Sequence, residues 1–98
     1  MAIFGKGGKE LIPAIAIHPG ETLQEELEAR SIRQIEFAKI LDIRPQHLND
    51  LLKGKRHISP EIALKLEKAL DISAEFWVRL QADYELTLVR LAHKHKAA

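Results

Sequence analysis

The sequence predicts an all-α domain of five helices. Apolar residues recur at three- and four-residue spacing through most of the chain, which is the pattern of helices with one buried face. Helix-starting residues stand where these stripes begin: Pro19, Pro45, Ser59 with Pro60, and Ser73. Proline fits the first position of a helix because no N–H is needed there, and a serine side chain caps the free N–H groups. A length of 98 residues suits one domain with one core.

The composition is that of a globular protein, with 46% hydrophobic and 30% charged residues. No apolar run approaches the roughly 18 residues of a membrane span, and no signal-peptide core follows Lys6 and Lys9, so a cytoplasmic location is predicted. The absence of cysteine excludes disulfides and thiolate chemistry. The chain also has no glycine-rich phosphate loop and no Ser/His/Asp arrangement at suggestive spacing, so we predict neither enzyme activity nor a cofactor.

The first helix is predicted to run from Pro19 to about Arg30. Leu23 and Leu27, four residues apart, form its buried stripe. Several glutamates lie early in this helix, where negative charge interacts favourably with the helix dipole: Glu21, Glu25 and Glu26. Residues 1–17 precede it as an N-terminal arm. The apolar run LIPAIAI at 11–17 is either core cover or a contact with a second subunit or another protein.

Two short helices, at 34–41 and 45–53, form the centre of the sequence. Their apolar residues recur at helical spacing: Ile35, Ala38 and Leu41 with Phe37 beside them, then Leu48, Leu51 and Leu52. Pro45 must begin the second helix because proline cannot sit inside one, and Gly54 supplies the stop. The small Ala38 permits close approach of a crossing helix. This layout predicts a helix-turn-helix at 34–53, whose second helix enters the DNA major groove.

Two further helices complete the predicted domain, which spans residues 18–92. Ser59 caps the fourth helix and Asp71-Ile72 ends it; its apolar face consists of Ile62, Ala63, Leu66, Ala69 and Leu70. Ser73 caps the fifth helix, whose apolar stripe is longer than a small core can cover. We therefore predict that a dimer or a helical hairpin buries its outer half. The predicted dimer residues are Trp77, Leu80, Tyr84 and Leu88, with a place in the core as the alternative for Trp77 and Tyr84.

Charge is distributed unevenly although the net charge is only +1. Residues 10–30 hold five glutamates against Arg30 alone, whereas residues 31–57 hold six basic residues against three acidic ones. The basic excess falls on the helix-turn-helix, where DNA phosphates would be met. A solvated charged face is the alternative. Residues 93–98 form a basic tail, in which His93 and His95 have no third ligand in reach, so no metal site is predicted.

Four segments resemble one known family: HPGE at 18–21, QIEFAKILDI at 34–43, GKRHISPEIALKLEKAL at 54–70 and SAEFWVRLQADYEL at 73–86. A helix-turn-helix followed by a fourth helix resembles the Cro/phage-repressor (XRE) domains, which have the lambda-repressor-like fold. The four segments together resemble the HigA/VapI-type antitoxins over residues 18–88. This resemblance implies a homodimer that binds double-stranded DNA at a palindromic operator and represses its own toxin–antitoxin operon. It also implies that the protein neutralises a RelE-like mRNA-cleaving toxin by complex formation.

The resemblance implies which residues contact DNA. Five match the positions of the recognition helix that read base edges: Arg44, Gln46, His47, Asn49 and Asp50. Gln46 can pair bidentately with adenine, and Arg44 can reach guanine or a phosphate. His47 is either a base contact or a surface histidine without a role. Asp50 repels phosphate, so it either accepts from a cytosine amino group, orients Arg44, or is simply exposed.

Five other residues are expected on the DNA backbone: Arg33, Gln34, Lys53, Lys55 and Arg56. Gln34 matches the position that grips the backbone with its side chain and the N–H groups of its helix end. The last three follow the recognition helix in a loop where phosphate contacts are common. Such contacts set affinity and salt dependence and not sequence preference.

The chain departs from the family pattern at three positions. Asp42 stands where many members have glycine, but aspartate can adopt the left-handed conformation that the turn needs. Arg33 and Arg44 stand where serine or threonine commonly caps the second and third helices, and each lost cap costs on the order of 1 kcal/mol. Positive charge at a helix N-terminus is unfavourable for stability but well placed for phosphate. We therefore interpret both arginines as residues that lower the stability of the fold and in return contact DNA.

Two other functions fit the same sequence. One is a stand-alone repressor without a toxin, which is distinguished by the absence of a small basic reading frame beside the gene. The other is a protein-interaction module that has lost DNA binding, to which Asp42 and Asp50 lend slight support. An acidic face on the first helix, at Glu25, Glu26 and Glu28, either meets a basic toxin or is an ordinary solvated surface.

Overall fold

A computed structural model describes residues 15–97, with side chains as far as Lys94. In this range the chain forms five helices: α1 (Pro19–Ala29), α2 (Gln34–Leu41), α3 (Pro45–Leu52), α4 (Pro60–Leu70) and α5 (Ala74–Ala97). The predicted all-α fold is confirmed, and each helix begins at or beside its predicted start. Residues 1–14, which make up most of the predicted arm, lie outside the described part of the chain.

The helices enclose one hydrophobic core. α3 packs against α1 and α2, and α4 packs against α2 and α5, while α1 also contacts α5. The core side chains are almost fully buried and come from every helix: Leu23, Leu27, Phe37, Ala38, Leu41, Leu48, Leu51, Ile58, Ile62, Ala63, Leu66, Leu70 and Trp77. The recognition helix α3 is therefore held from behind by its two buried leucines, Leu48 and Leu51, while its polar side faces solvent.

Helix ends are formed by residues in the left-handed region. Ser31, Asp42 and Asp71 have φ values of 57°, 58° and 59° and terminate α1, α2 and α4. The expected left-handed Asp42 is thus confirmed. At this turn the Ile43 N–H donates to the Ala38 carbonyl oxygen at 3.0 Å, which satisfies a carbonyl group at the end of α2.

The structure differs from the sequence prediction in four details. Ile35 is 57% exposed and Phe37 is fully buried, so the apolar face of α2 is rotated from the predicted one. α3 ends at Leu52, one residue earlier than predicted. α5 continues to Ala97, so most of the predicted tail is helical. In the apolar run at 11–17, the described Ile15 and Ile17 are more than half exposed and do not cover the core.

The segment His18-Pro19-Gly20 locks α1 onto the end of α3. His18 is the N-cap of α1, and its ring Nδ1 accepts a hydrogen bond from the Gly20 N–H at 2.9 Å. Gly20 lies so close to α3 that an added Cβ would collide with the carbonyl oxygen of Leu51. Gly54, with φ of +76°, faces the His18 ring. These contacts fix the position of the loop that follows the recognition helix.

Candidate nucleic-acid interface

The solvent side of α3 carries the five residues predicted to read bases. Leu48 and Leu51 are fully buried, which sets the orientation of the helix. Arg44 and Gln46 are exposed, and His47, Asn49 and Asp50 are partly exposed. The structure thus presents all five at the surface, in and just before one two-turn helix.

A hydrogen bond joins the start of α2 to this surface. The Gln34 side-chain Nε2 donates to the Asn49 Oδ1 at 3.2 Å. Gln34 is the first residue of α2 and lies fifteen positions before Asn49 in the chain. The residue predicted to grip the DNA backbone and a residue predicted to read bases are therefore adjacent.

Asp50 organises two other side chains of the predicted interface. Its Oδ1 accepts a hydrogen bond from Gln46 Nε2 at 2.9 Å, and its Oδ2 lies 3.8 Å from Arg56 Nε. Of the three alternatives given for Asp50, orientation of a neighbouring side chain fits these contacts, with Gln46 and Arg56 in the place of Arg44. The Asp50 carboxylate also offsets the positive charge of Arg56. Arg56 is itself predicted to contact a DNA phosphate.

His47 is held towards its neutral form. Burial lowers the pKa of its ring first, and the nearby positive charge of Arg56 lowers the pKa further. A neutral imidazole has one hydrogen-bond donor and one acceptor, so it can either donate to a base edge or accept from one. Both ring nitrogens would become donors on protonation.

Neither arginine at the helix starts caps its helix. Arg33 and Arg44 are the N-cap residues of α2 and α3, and an arginine side chain has no acceptor for the free N–H groups. At α2 the Glu36 carboxylate partly compensates by accepting from the Arg33 backbone N–H at 3.3 Å. The Arg33 guanidinium donates to the same carboxylate at 3.2 Å, and this hydrogen bond lowers the pKa of Glu36.

We expect an Arg44→Ser variant to be more stable than the wild type by about 1 kcal/mol and to bind operator DNA more weakly. A serine would cap α3, where no side chain does so now. Urea unfolding measures the stability, and a mobility-shift titration measures the binding. The matched control is Ser59→Arg, because the Ser59 Oγ accepts from the Ile62 N–H at 3.2 Å and its loss should cost a similar amount. Gained stability with unchanged DNA binding would contradict a role of Arg44 in DNA contact.

The loop after α3 presents the three predicted phosphate-binding residues. Lys53, Lys55 and Arg56 are all exposed. The Lys55 N–H donates to the Asp50 carbonyl oxygen at 2.8 Å, which continues the last turn of α3 into the loop. The loop is therefore shaped by backbone hydrogen bonding, while the side chains of Lys53 and Lys55 remain free for an anionic partner and Arg56 is paired with Asp50.

Sequence reasoning missed two buried polar residues that anchor this loop. The Gln81 Oε1 on α5 accepts from the Ile58 N–H at 2.8 Å, at the point where the loop enters the core. The His18 ring lies against Gly54 in the loop and packs edge-on against Tyr84, with centroids 4.8 Å apart. Burial lowers the pKa of His18, so its neutral Nδ1 remains an acceptor for Gly20. The sequence did contain a signal for His18, which directly precedes the proline that starts α1 and so stands at the N-cap position. No comparable local signal in the sequence marked Gln81.

Most of the predicted dimer residues have neighbours within the single chain. Trp77 is fully buried in the core and has no exposed surface for a partner, so it takes the alternative core position and not the predicted interface position. Leu80 packs against the core, and Tyr84 packs against His18. Leu88 remains 44% exposed. Only this last residue of the predicted set is largely free to meet a partner.

Residues 15–97 contain neither a membrane-spanning helix nor a metal-binding cluster. No helix in that range is long and apolar enough to cross a membrane. In the same range no group of three or more His, Cys, Asp and Glu side chains is arranged to hold a metal ion.

Comparison with known proteins identifies the family. A family profile described as helix-turn-helix matches residues 23–77, more than half of the chain. The chain belongs to this helix-turn-helix family. The chain is 42% identical over 73 residues to virulence-associated protein A' of Dichelobacter nodosus. This alignment covers 74% of this chain and 64% of that relative.

Two solved structures extend the likeness to antitoxins. The HigA-family antidote protein of an addiction module from Coxiella burnetii is 34% identical with a TM-score of 0.78, covering 84% of this chain and 90% of that one. HigA of Pseudomonas aeruginosa, solved with the higBA promoter, is 34% identical with a TM-score of 0.77 and the same two coverages, 84% and 90%. The predicted relation to HigA-type antitoxins is confirmed. The helix-turn-helix family is one of antitoxins and transcription regulators and not of enzymes.

Proposed function

We propose that this protein is a HigA-type antitoxin that binds, as a homodimer, to a palindromic operator of its own operon. The observation that carries the proposal is the hydrogen bond between Gln34 and Asn49. It joins a helix N-terminus suited to a phosphate with a side chain suited to a base edge. In a helix-turn-helix the phosphate contacts set the register from which the second helix reads sequence.

Relatives solved with DNA support this proposal. HigA of Pseudomonas aeruginosa was solved with its promoter, and antitoxin GraA was solved in complex with its operator. GraA is 30% identical with a TM-score of 0.73 and covers 83% of this chain. An equivalent mode of binding would bring the polar side of α3 into the major groove and the loop at 53–56 against a phosphate strand. A two-fold symmetric dimer matches a palindrome because each copy meets one half-site.

The interface suggests how sequence would be read. In the free protein Gln46 is held by Asp50, which leaves its amide oriented along the polar side of α3. On DNA the Gln46 amide pairs with adenine, while Asp50 keeps Arg56 directed at a phosphate. Arg44, exposed and free of a capping bond, reaches guanine or a phosphate from the N-terminus of α3.

The test is a mobility-shift titration against DNA from directly upstream of the gene, at two salt concentrations. We expect tight, sequence-selective and salt-sensitive binding. A Gln46→Ala variant should lose about 2 kcal/mol of binding free energy, roughly 30-fold in affinity. The matched control is Gln24→Ala on α1, because Gln24 makes the same i,i+4 hydrogen bond, to Glu28 at 3.0 Å, on a different helix. Binding no stronger than to unrelated DNA would contradict the proposal and favour an interaction module.

We also propose that the protein neutralises a RelE-like mRNA-cleaving toxin by forming a complex with it. Such a toxin is basic because it binds RNA, and α1 offers it an acidic surface at Glu25 and Glu28, which are exposed. Glu26 is engaged with Arg30 at 3.1 Å. The same titration, repeated with the small basic protein encoded beside the gene, should give a further shift. The absence of any adjacent small reading frame would instead leave a stand-alone repressor.

A further inference from the structure

One buried histidine lies where the start of α1, the end of α3 and α5 meet. His18 is only 7% exposed, and its Nδ1 accepts a hydrogen bond from the Gly20 N–H at 2.9 Å. Gly20 in turn lies against the carbonyl oxygen of Leu51, the atom that accepts from the Gly54 N–H at 3.2 Å. The N-cap of α1 and the end of the recognition helix therefore belong to one small cluster of backbone groups, and the imidazole ring is part of it.

The ring of His18 also lies directly against the loop at 53–56. A Cβ added to Gly54 would lie 3.5 Å from His18 Cγ, an ordinary van der Waals separation, so the ring covers the side of Gly54 from which a side chain would project. On α5, Tyr84 packs edge-on against the same ring, with centroids 4.8 Å apart. A displacement of the ring would therefore break contacts with α1, with the loop and with α5 at once.

The cap of α1 works only while the His18 ring is neutral. An imidazole nitrogen accepts a hydrogen bond when it carries no proton, and both nitrogens are donors in the protonated ring. Protonation would set an Nδ1–H group against the Gly20 N–H and would add positive charge at the N-terminus of α1, where the helix dipole disfavours it. A buried charge also costs free energy unless it is paired. Acid should therefore displace the ring from this position.

The surroundings of the ring determine how readily it takes up a proton. The other titratable or charged groups that face it are Glu21 on α1, Arg56 and His57 in and after the loop, and Tyr84 and Glu85 on α5. Burial is the largest influence on the pKa of His18 and lowers it from the ordinary value of 6.5; the backbone of Arg56 and the two carboxylates raise this pKa, and the positive charge of His57 lowers it. Because the pKa is lower in the folded than in the unfolded chain, the contribution of the neutral ring to stability is complete above about pH 6.5. It is lost as the pH falls through the lowered pKa.

We propose that His18 is an acid-sensitive positioning residue for DNA binding, which holds the loop at 53–56 in place only in its neutral form. When the ring takes up a proton, α1 loses its cap, the ring leaves Gly54, and the basic side chains of the loop lose their fixed position. Operator affinity then falls, although positive charge added to the surface by acid would by itself strengthen the contacts with phosphate. The proposal rests on the operator binding of the proposed function and adds a means of regulating it.

A His18→Asn variant separates the capping hydrogen bond from the titration. Asparagine is a good N-cap, and its Oδ1 takes the place of the histidine Nδ1 but gains no proton in this pH range. Fluorescence anisotropy with labelled operator DNA measures the affinity of the full chain at about pH 7.5 and about pH 5.5, at one salt concentration. Relative to the variant, the wild type should lose affinity by roughly threefold or more between these pH values, within the limit of tenfold per pH unit that one proton sets.

The matched control is His93→Asn, the same substitution at an exposed histidine on α5. It should keep the wild-type ratio of the two affinities. NMR of the free protein supplies a measurement that does not depend on DNA. In the wild type the amide signals of Gly20 and Gly54 should shift together, with a midpoint below about pH 6.5, and in His18→Asn this shift should be absent.

Equal affinity ratios for the wild type and His18→Asn would overturn the proposal, and so would a Gly54 signal that shifts equally in both proteins. If the wild type does not prefer the operator to unrelated DNA at any pH, the proposed function is overturned. The Gly54 signal then still decides whether the neutral ring of His18 holds the loop. The two proposals can therefore fail separately.

Discussion

A Gly20→Ala variant should be less stable than the wild type by about 3 kcal/mol. The added Cβ would collide with the carbonyl oxygen of Leu51, which is a backbone atom and cannot rotate away. α1 would have to move away from α3, which would also disturb the hydrogen bond from Gly20 to His18. Urea unfolding followed by circular dichroism measures the change.

The control for this prediction is Glu25→Ala, an exposed substitution on the same helix. It should change the free energy of unfolding by less than about 0.5 kcal/mol. Alanine normally stabilises a helix relative to glycine, so a neutral or stabilised Gly20→Ala variant would show that α1 does not approach α3 this closely. Weaker operator binding should accompany the lost stability, because the same contact supports the loop at 53–56.

A triple variant, Lys53→Ala with Lys55→Ala and Arg56→Ala, should have the largest effect on DNA binding. Each phosphate contact contributes about 0.9 to the slope of log affinity against log salt, so the slope should fall by about three. The loss of affinity between 50 and 200 mM salt should therefore be smaller by roughly 40-fold. Fluorescence anisotropy with labelled operator DNA over this salt range measures the slope.

The corresponding control is Lys68→Ala with Lys94→Ala. Both side chains are exposed and lie outside the predicted DNA interface. The slope should stay within about 0.5 of the wild-type value if the loop, and not the net charge, meets the phosphates. A triple variant with an unchanged slope would mean that the loop does not contact DNA. Preference for the operator over unrelated DNA should survive in the triple variant, since phosphate contacts carry no sequence information.

The supports of the DNA-binding loop suggest a division of labour within the domain. The lysine side chains of the loop are free, but its backbone is held by Gln81 on α5, and Gly54 at its start lies against the ring of His18. α5 and the segment before α1 thus hold the loop in place.

Local features of the sequence determined where the helices begin and end. Ser59 caps α4 and Asp42 adopts the left-handed conformation, both as predicted, because such effects depend on a few neighbouring residues. The polar side of α3 was also predictable, since the spacing of Leu48, Leu51 and Leu52 sets its orientation once the helix is assigned. All of this follows from contacts along the chain within about one or two turns.

Only the tertiary structure decided which faces of α2 and α5 are covered. α2 buries Phe37 and exposes Ile35, and α5 buries Trp77 while leaving Val78 beside it at the surface. The same is true of the polar anchors, because Gln81 acquires its role only when Ile58, twenty-three positions earlier, lies beside it. Apolar spacing marks the residues able to be buried, but burial itself depends on which helix packs against which. That choice is made by contacts between residues far apart in the chain.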